Sequence, residues 1–323
     1  MTWIVRTALL IAGFTLGASS PVRAEDTFPE HSMTMVVSYS PGGITDTLGR
    51  IAAEALQNAL KQNVIVENRA GAGGALGNAF VARSQPDGYT LLAAPTAFGI
   101  QPYILKNLPY DTLRDFAPVA LIGTSATVMV VSPDIGVNTV REFIDYAKQR
   151  DGKVNYSSNG IGTPSHLSVE YFSTLTGIKM QHVPFPGSAP ASMAVMSGEV
   201  AMTLLEMPPA IELAKAGKLK ALAVTAPTRH YNMPDTPTIG ETVPGFAALS
   251  WTGIFARAGT PKSAIDRMNG AINAFLTSPQ GAERMRLLGV DARPSTPAET
   301  GAWLQSQLDQ WKPIAAAAGI APQ

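Results

Sequence analysis

The feature that most constrains the fold is a strand, a glycine turn and a helix start in immediate succession, from Met35 to Arg50. Met35-Val36-Val37 is an apolar run of the buried-strand type, and Pro41-Gly42-Gly43 breaks it. Thr45 and Asp46 open a helix whose apolar positions, Leu48, Ile51, Ala52, Ala55 and Leu56, follow helical periodicity. Such a unit aims free backbone N–H groups and the positive end of a helix dipole at one point, which suits an anion. The loop contains no Lys or Arg. An anion there would be held by amides, hydroxyls and water.

A second unit of this design follows. A strand over Val154–Ser158 leads into the hydroxyl- and glycine-rich stretch Ser157 to His166, and then into a helix through Val169, Phe172 and Leu175. Further strands are expected at Val64–Val66, Thr90–Ala94, Phe116–Ile122, Val128–Val131, Met180–Val183, Ala201–Leu205 and Leu219–Thr225. Another, at Leu249–Ala256, crosses back. Helices are expected over Gly74–Ser84, around Ile100–Ile104, over Pro209–Ala216, and behind capping boxes at Thr139/Glu142 and Thr296/Glu299. Thr260-Pro261 starts one more, with proline at its first position. The last helix is expected to pack on the outside of the first domain. Strands alternating with helices give an α/β class with mostly parallel sheets.

At 323 residues the chain can bury two cores. Its formal net charge of zero argues against nucleic acid or an acidic membrane as the main partner. The absence of cysteine removes disulfides, thiolate catalysis and Cys-based zinc sites. Arg6, the apolar run Ala8–Ala18 and Val22-Arg23-Ala24 read as a secretory signal over residues 1–24, cleaved after Ala24. The apolar run is too short to span a bilayer. Export implies a periplasmic protein.

Enzyme signatures do not occur: there is no G-x-S-x-G elbow, H-E-x-x-H or P-loop. The glycine run Gly71-Ala72-Gly73-Gly74 departs from the dinucleotide fingerprint, because Leu76 stands where the third glycine belongs. Ser157, His166 and Asp46 invite a triad, yet two of them already have helix-start duties. Asp46 is either a helix cap or a contact, His166 either a contact or a helix-start residue, and Trp251 either stacks on a ligand or fills the core.

The motifs Pro41-Gly42-Gly43-x-x-Asp46, Val66-Glu67-Asn68-Arg69-x-Gly71-Ala72-Gly73-Gly74 and Pro86-Asp87-Gly88-Tyr89-Thr90 resemble those of the tripartite tricarboxylate transporter substrate-binding proteins, the Bug receptors. The resemblance continues through Tyr156-Ser157-Ser158-Asn159-Gly160-x-Gly162-Thr163, Gly187-x-Ala189-Pro190, Ala216 to Thr225, Gly253-x-Phe255-Ala256 and Gly259-Thr260-Pro261. It implies a two-lobed periplasmic-binding-protein fold, a Venus flytrap. The first lobe would take residues 25–124 and 246–323, and the second 125–245, with a small organic acid in the cleft. It also implies a set of ligand-binding positions: Tyr39, Gly43, Thr45, Asp46, Pro95, Thr96, Ser157, Asn159, Gly162, Thr163, His166, Phe185, Gly187, Ala189, Glu206 and Trp251. No cofactor or metal is implied. The implied partners are the acid and membrane transporter subunits, with the receptor a monomer. A receptor read by a signalling protein is the alternative, and a secreted hydrolase a distant one. Gly198-Glu199-Val200-Ala201, Glu206 and Ile44 depart from the usual pattern, which bears on the ligand rather than the class. Few charged residues near the two loops favour a mono- or dicarboxylate over a tricarboxylate.

Overall fold

The computed structural model describes residues 28–319, so the leader and its cleavage site lie outside the described residues. Met33–Val37 (β1) runs into Ile44–Leu60 (α1), and Val64–Asn68 (β2) into Ala75–Ala82 (α2). Thr90–Pro95 (β3) and Ala97–Ile104 (α3) precede the long strand Phe116–Val131 (β4). Next come Val140–Gln149 (α4), Asn155–Ser158 (β5), Pro164–Thr176 (α5), Gln181–Pro184 (β6) and Ser188–Met196 (α6). Met202–Glu206 (β7), Met207–Lys215 (α7) and Lys220–Val224 (β8) follow. The chain ends with Leu249–Arg257 (β9), Lys262–Leu276 (α8), Pro279–Leu287 (α9), Asp291–Ala292 (β10) and Pro297–Ala317 (α10).

The strands are ordered β2-β1-β3-β9-β4-β7-β5-β6, with β10 and β8 also pairing with β4. The first half of β4 is held by β9 and β10, and the second half by β7 and β8. β4 therefore passes from one half of a curled sheet into the other. Parallel pairing joins β1 to β2 and β3, and β5 to β6 and β7. Every antiparallel pair involves β4 or β9, the crossing strands.

Side-chain alternation splits each half-sheet into two buried faces. Met33, Met35 and Val37 of β1 pack with α1 and α8, whereas Val36 faces the cluster of Phe98, Trp251, Phe255 and Leu304. In the other half, Met129 and Val131 face α4 and α5, and Val128 and Val130 face α6 and α7. The stripe expected on α1 is buried as read.

Several expectations change. Phe116–Ile122 and Val128–Val131 are one strand, because Gly123-Thr124-Ser125 looks like a break yet stays paired with β9. The last helix covers more than the first lobe. Leu304 and Leu308 sit in the Phe98 cluster, whereas Trp311, Ile314 and Ala315 fill the core around Phe143 and Phe172. A 21-residue helix is long enough to reach both. Thr296/Glu299 forms a full capping box, but at Thr139 only half forms, since the Glu142 carboxylate accepts from Asn138 N–H instead. Pro261 is itself the cap of α8, and the Thr260 hydroxyl turns back to Arg257 O at 2.7 Å. Leu175, expected on the buried face of α5, is exposed.

Candidate functional site

The first loop is built around Asp46. Its carboxylate accepts from Gly42 N–H at 3.0 Å, Arg50 Nε at 3.0 Å and Asn68 Nδ2 at 2.8 Å. The Arg50 hydrogen bond, aided by Gly42 and Asn68 and opposed by burial, lowers its pKa to about 2. Asp46 is buried and saturated by protein donors, so it ties down the turn from behind. Asn68 reinforces this by donating to Tyr39 O at 2.9 Å. Gly43 caps α1 with no side-chain hydrogen bond, so the first-turn amides are not taken by a capping side chain.

The second loop has its own support. Thr163 caps α5, accepting from His166 N–H at 3.4 Å and donating to Gly160 O at 2.7 Å. His166 Nδ1 accepts from Gly162 N–H at 3.1 Å, and its ring stacks on His182 with centroids 3.7 Å apart and planes 11° from parallel. Burial, and then the His182 ring, push His166 down to about 4, so it is neutral near pH 7 and accepts at Nδ1. His182 Nε2 in turn lies 2.6 Å from Ser158 Oγ.

The two loops face each other across a cleft with two compartments. The smaller, about 260 Å³, is lined by Tyr39, Thr45, Pro95, Thr96, Asn159 and Trp251 from the expected set, together with Ile44, Leu48, Ala97, Gly123, Ser125, Pro164, Ser250, Thr252 and Val290. The larger, about 490 Å³, shares Tyr39, Ala97, Asn159 and Pro164, and adds Gly162 and Thr163 from the expected set plus Ala72, Gly73, Gln101, Ile104, Leu105 and Ile161. Among the described residues no Asp, Glu, Lys, Arg or His lines either one. Trp251 lines the smaller compartment and belongs to the buried cluster around Phe98; its N–H donates to Thr96 Oγ1 at 2.8 Å and its indole N–H to Gln307 Oε1 at 3.1 Å.

The remaining expected residues do not line these compartments. Gly43 is the exposed cap of α1, and Asp46 is buried beneath the first loop. Ser157 is fully buried and donates to Ala191 O at 2.9 Å. His166 lies beneath the second loop. Phe185, Gly187 and Ala189 cluster where β6 turns into α6, with Gly187 N–H on Phe185 O at 2.9 Å. Glu206 binds Asn159 Nδ2 at 3.3 Å and the Ser188 hydroxyl, so it stands one residue behind the wall. Of the residues missed from sequence, Ser125 and Ser250 lie on the crossing strands and become findable once β4 is read as continuous. Gln101, Ile104 and Leu105 carry no motif at all.

Residues 48–320 match the family described as tripartite tricarboxylate transporter family receptor. The chain belongs to this family. The receptor is 35% identical over 302 residues to the protein BugT of Bordetella pertussis, covering 92% of each chain. Among solved structures it resembles Rpa4515 of R. palustris with adipate (TM-score 0.79, 32% identity, 92% of this chain and 100% of the other). It also resembles MatC of Rhodopseudomonas palustris with bound malate (TM-score 0.75, 30% identity, 89% and 100%). Members of this family are binding proteins rather than enzymes. The two-lobed fold of periplasmic binding proteins is therefore the receptor's own. Among the described residues no group of three or more His, Asp or Glu side chains is placed to hold a metal, and no helix is long and apolar enough to cross a membrane.

Proposed function

We propose that the receptor captures a small organic carboxylate between its lobes in the periplasm and delivers it to a tripartite tricarboxylate-type membrane transporter. One observation carries this reading. Two strand-to-helix loops, through Ile44-Thr45 and through Asn159–Thr163, face a shared cleft from opposite halves of the sheet, and among the described residues no charged side chain lines it. A carboxylate there would take its hydrogen bonds from first-turn amides, from hydroxyls and through bridging water. Amide donors to an ionised acceptor are strong, and water bridges nearly match direct bonds. The site therefore needs no Lys or Arg. A ligand touching both loops binds the closed arrangement better than an open one and shifts the population toward it. The adipate and malate in the two related structures support a carboxylate, and the family description supports a transporter as the recipient.

The test is a thermal-shift screen of the protein, unfolded and refolded to strip any carried ligand, against a panel of carboxylic acids. A ligand at a hundred times its dissociation constant adds about 2.7 kcal/mol. A clear shift from one chemical group is expected. A flat panel would sink the carboxylate reading.

A further inference from the structure

The two compartments differ in what they offer a ligand, and the difference names its ends. Resting on the carboxylate reading above, we infer that the ligand has a single carboxylate, held in the smaller compartment, and an uncharged apolar tail that occupies the larger one.

In the larger compartment every polar side chain already gives a hydrogen to the protein. Tyr39 Oη and Gln101 Nε2 both donate to Gly73 O, at 2.7 and 2.6 Å. Thr163 Oγ1 donates to Gly160 O at 2.7 Å, and the Gly162 amide is taken by His166. Gln101 cannot swing to offer more, because its carbonyl is pinned by Asn78 Nδ2 at 3.0 Å and by the Tyr110 hydroxyl. Asn159 donates to Glu206, so the charge behind that wall is negative. The rest of the lining used here, Ile104, Leu105 and Ile161, is apolar. A second carboxylate would lose its water and meet no cation, a costly burial, whereas a hydrocarbon tail gains by leaving water.

The smaller compartment is the reverse. The hydroxyls of Thr45, Ser125 and Ser250 line it and have no hydrogen-bond partner among the described residues. They flank the start of α1, whose first-turn amides are also unclaimed by a capping side chain. The unpartnered side-chain hydroxyls of the cleft are gathered at this end.

The experiment is titration calorimetry of the refolded protein with acids paired by shape: hexanoate against adipate, and benzoate against terephthalate. In at least one pair the monoacid is expected to bind ten times tighter or more than its diacid. A companion variant, Ile161→Lys, places a cation at the rim of the larger compartment. Ile161 is 55% exposed, so the change does not disturb the core. It is expected to shift the monoacid-to-diacid affinity ratio at least tenfold toward the diacid. Diacids that bind as tightly as monoacids in the wild type, or an unaltered ratio in Ile161→Lys, would overturn the inference and leave the receptor reading standing. No binding by these four acids, together with a flat carboxylate panel, would overturn both.

Discussion

Two side chains hold the binding loops from beneath, and each titrates on its own side of the acid range. Asp46 has a folded pKa near 2, against an ordinary 3.8. Its contribution is complete above pH 4 and is lost as pH falls through 2. Asp46→Ala takes the acceptor from Gly42 N–H and from one of the two Asn68 Nδ2 hydrogens and should cost about 1–3 kcal/mol, read from urea midpoints at pH 7. An unchanged midpoint would mean that the turn holds without it. His166 moves the other way. Its folded value of about 4 lies below the ordinary 6.5, so the unfolded chain takes the proton first. Stability should fall as pH drops from 6.5 to 4 and level off below. His166→Asn keeps an acceptor for Gly162 N–H and removes this titration. Its pH–stability slope in that window should be shallower than wild type, though not flat, because His182 is shifted the same way. Identical slopes would argue against the assignment. Much at this scale was legible in the residues: Asp46 and His166 stand out in their loops as helix-start residues. The stacking of His182 under His166 was not legible, since no spacing rule links the end of one strand to the helix that follows another.

At the scale of elements, α1 matters because its first turn forms one wall of the cleft, and Gly49 sets how close it lies to the sheet. A Cβ at Gly49 would stand 2.9 Å from Val37 Cγ2 and 3.1 Å from Ala93 Cβ. Gly49→Ala should push the helix outward, costing about 1–3 kcal/mol and weakening ligand binding. Gly270, exposed on α8, has nothing within 4 Å of its Cβ position. Gly270→Ala should instead stabilise by about 0.5–1 kcal/mol through the usual preference of helices for alanine. Thermal melts of the two variants should move in opposite directions; a shift in the same direction would refute the packing argument. Helices with a strong apolar stripe were readable in advance, α4 with Val140, Phe143, Ile144 and Ala147 among them. The helix α9 was not. Its buried residues are Gly281 and Met285, too few to make a stripe. With it went β10 and Val290, a wall of the smaller compartment. Only the two apolar ends of β4 are legible in the sequence, because the crossing point consists of small and polar residues whose pairing with β9 only the assembled sheet reveals.

For the whole molecule, the two lobes do not stand as independent units. The strand β4 is central to both half-sheets, and α10 sends Leu304 and Leu308 into one core and Trp311 and Ile314 into the other. Calorimetry should therefore record one unfolding transition, with van't Hoff and calorimetric enthalpies in agreement; two resolved peaks would show that the lobes melt separately. The same layout has a consequence for folding. The β3 strand is completed by β9 in antiparallel register, and Thr96 meets Trp251 across 155 residues of chain. Until that distant strand arrives, the apolar stretch Thr90–Pro95 offers an open edge, the kind of surface that recruits a neighbouring chain.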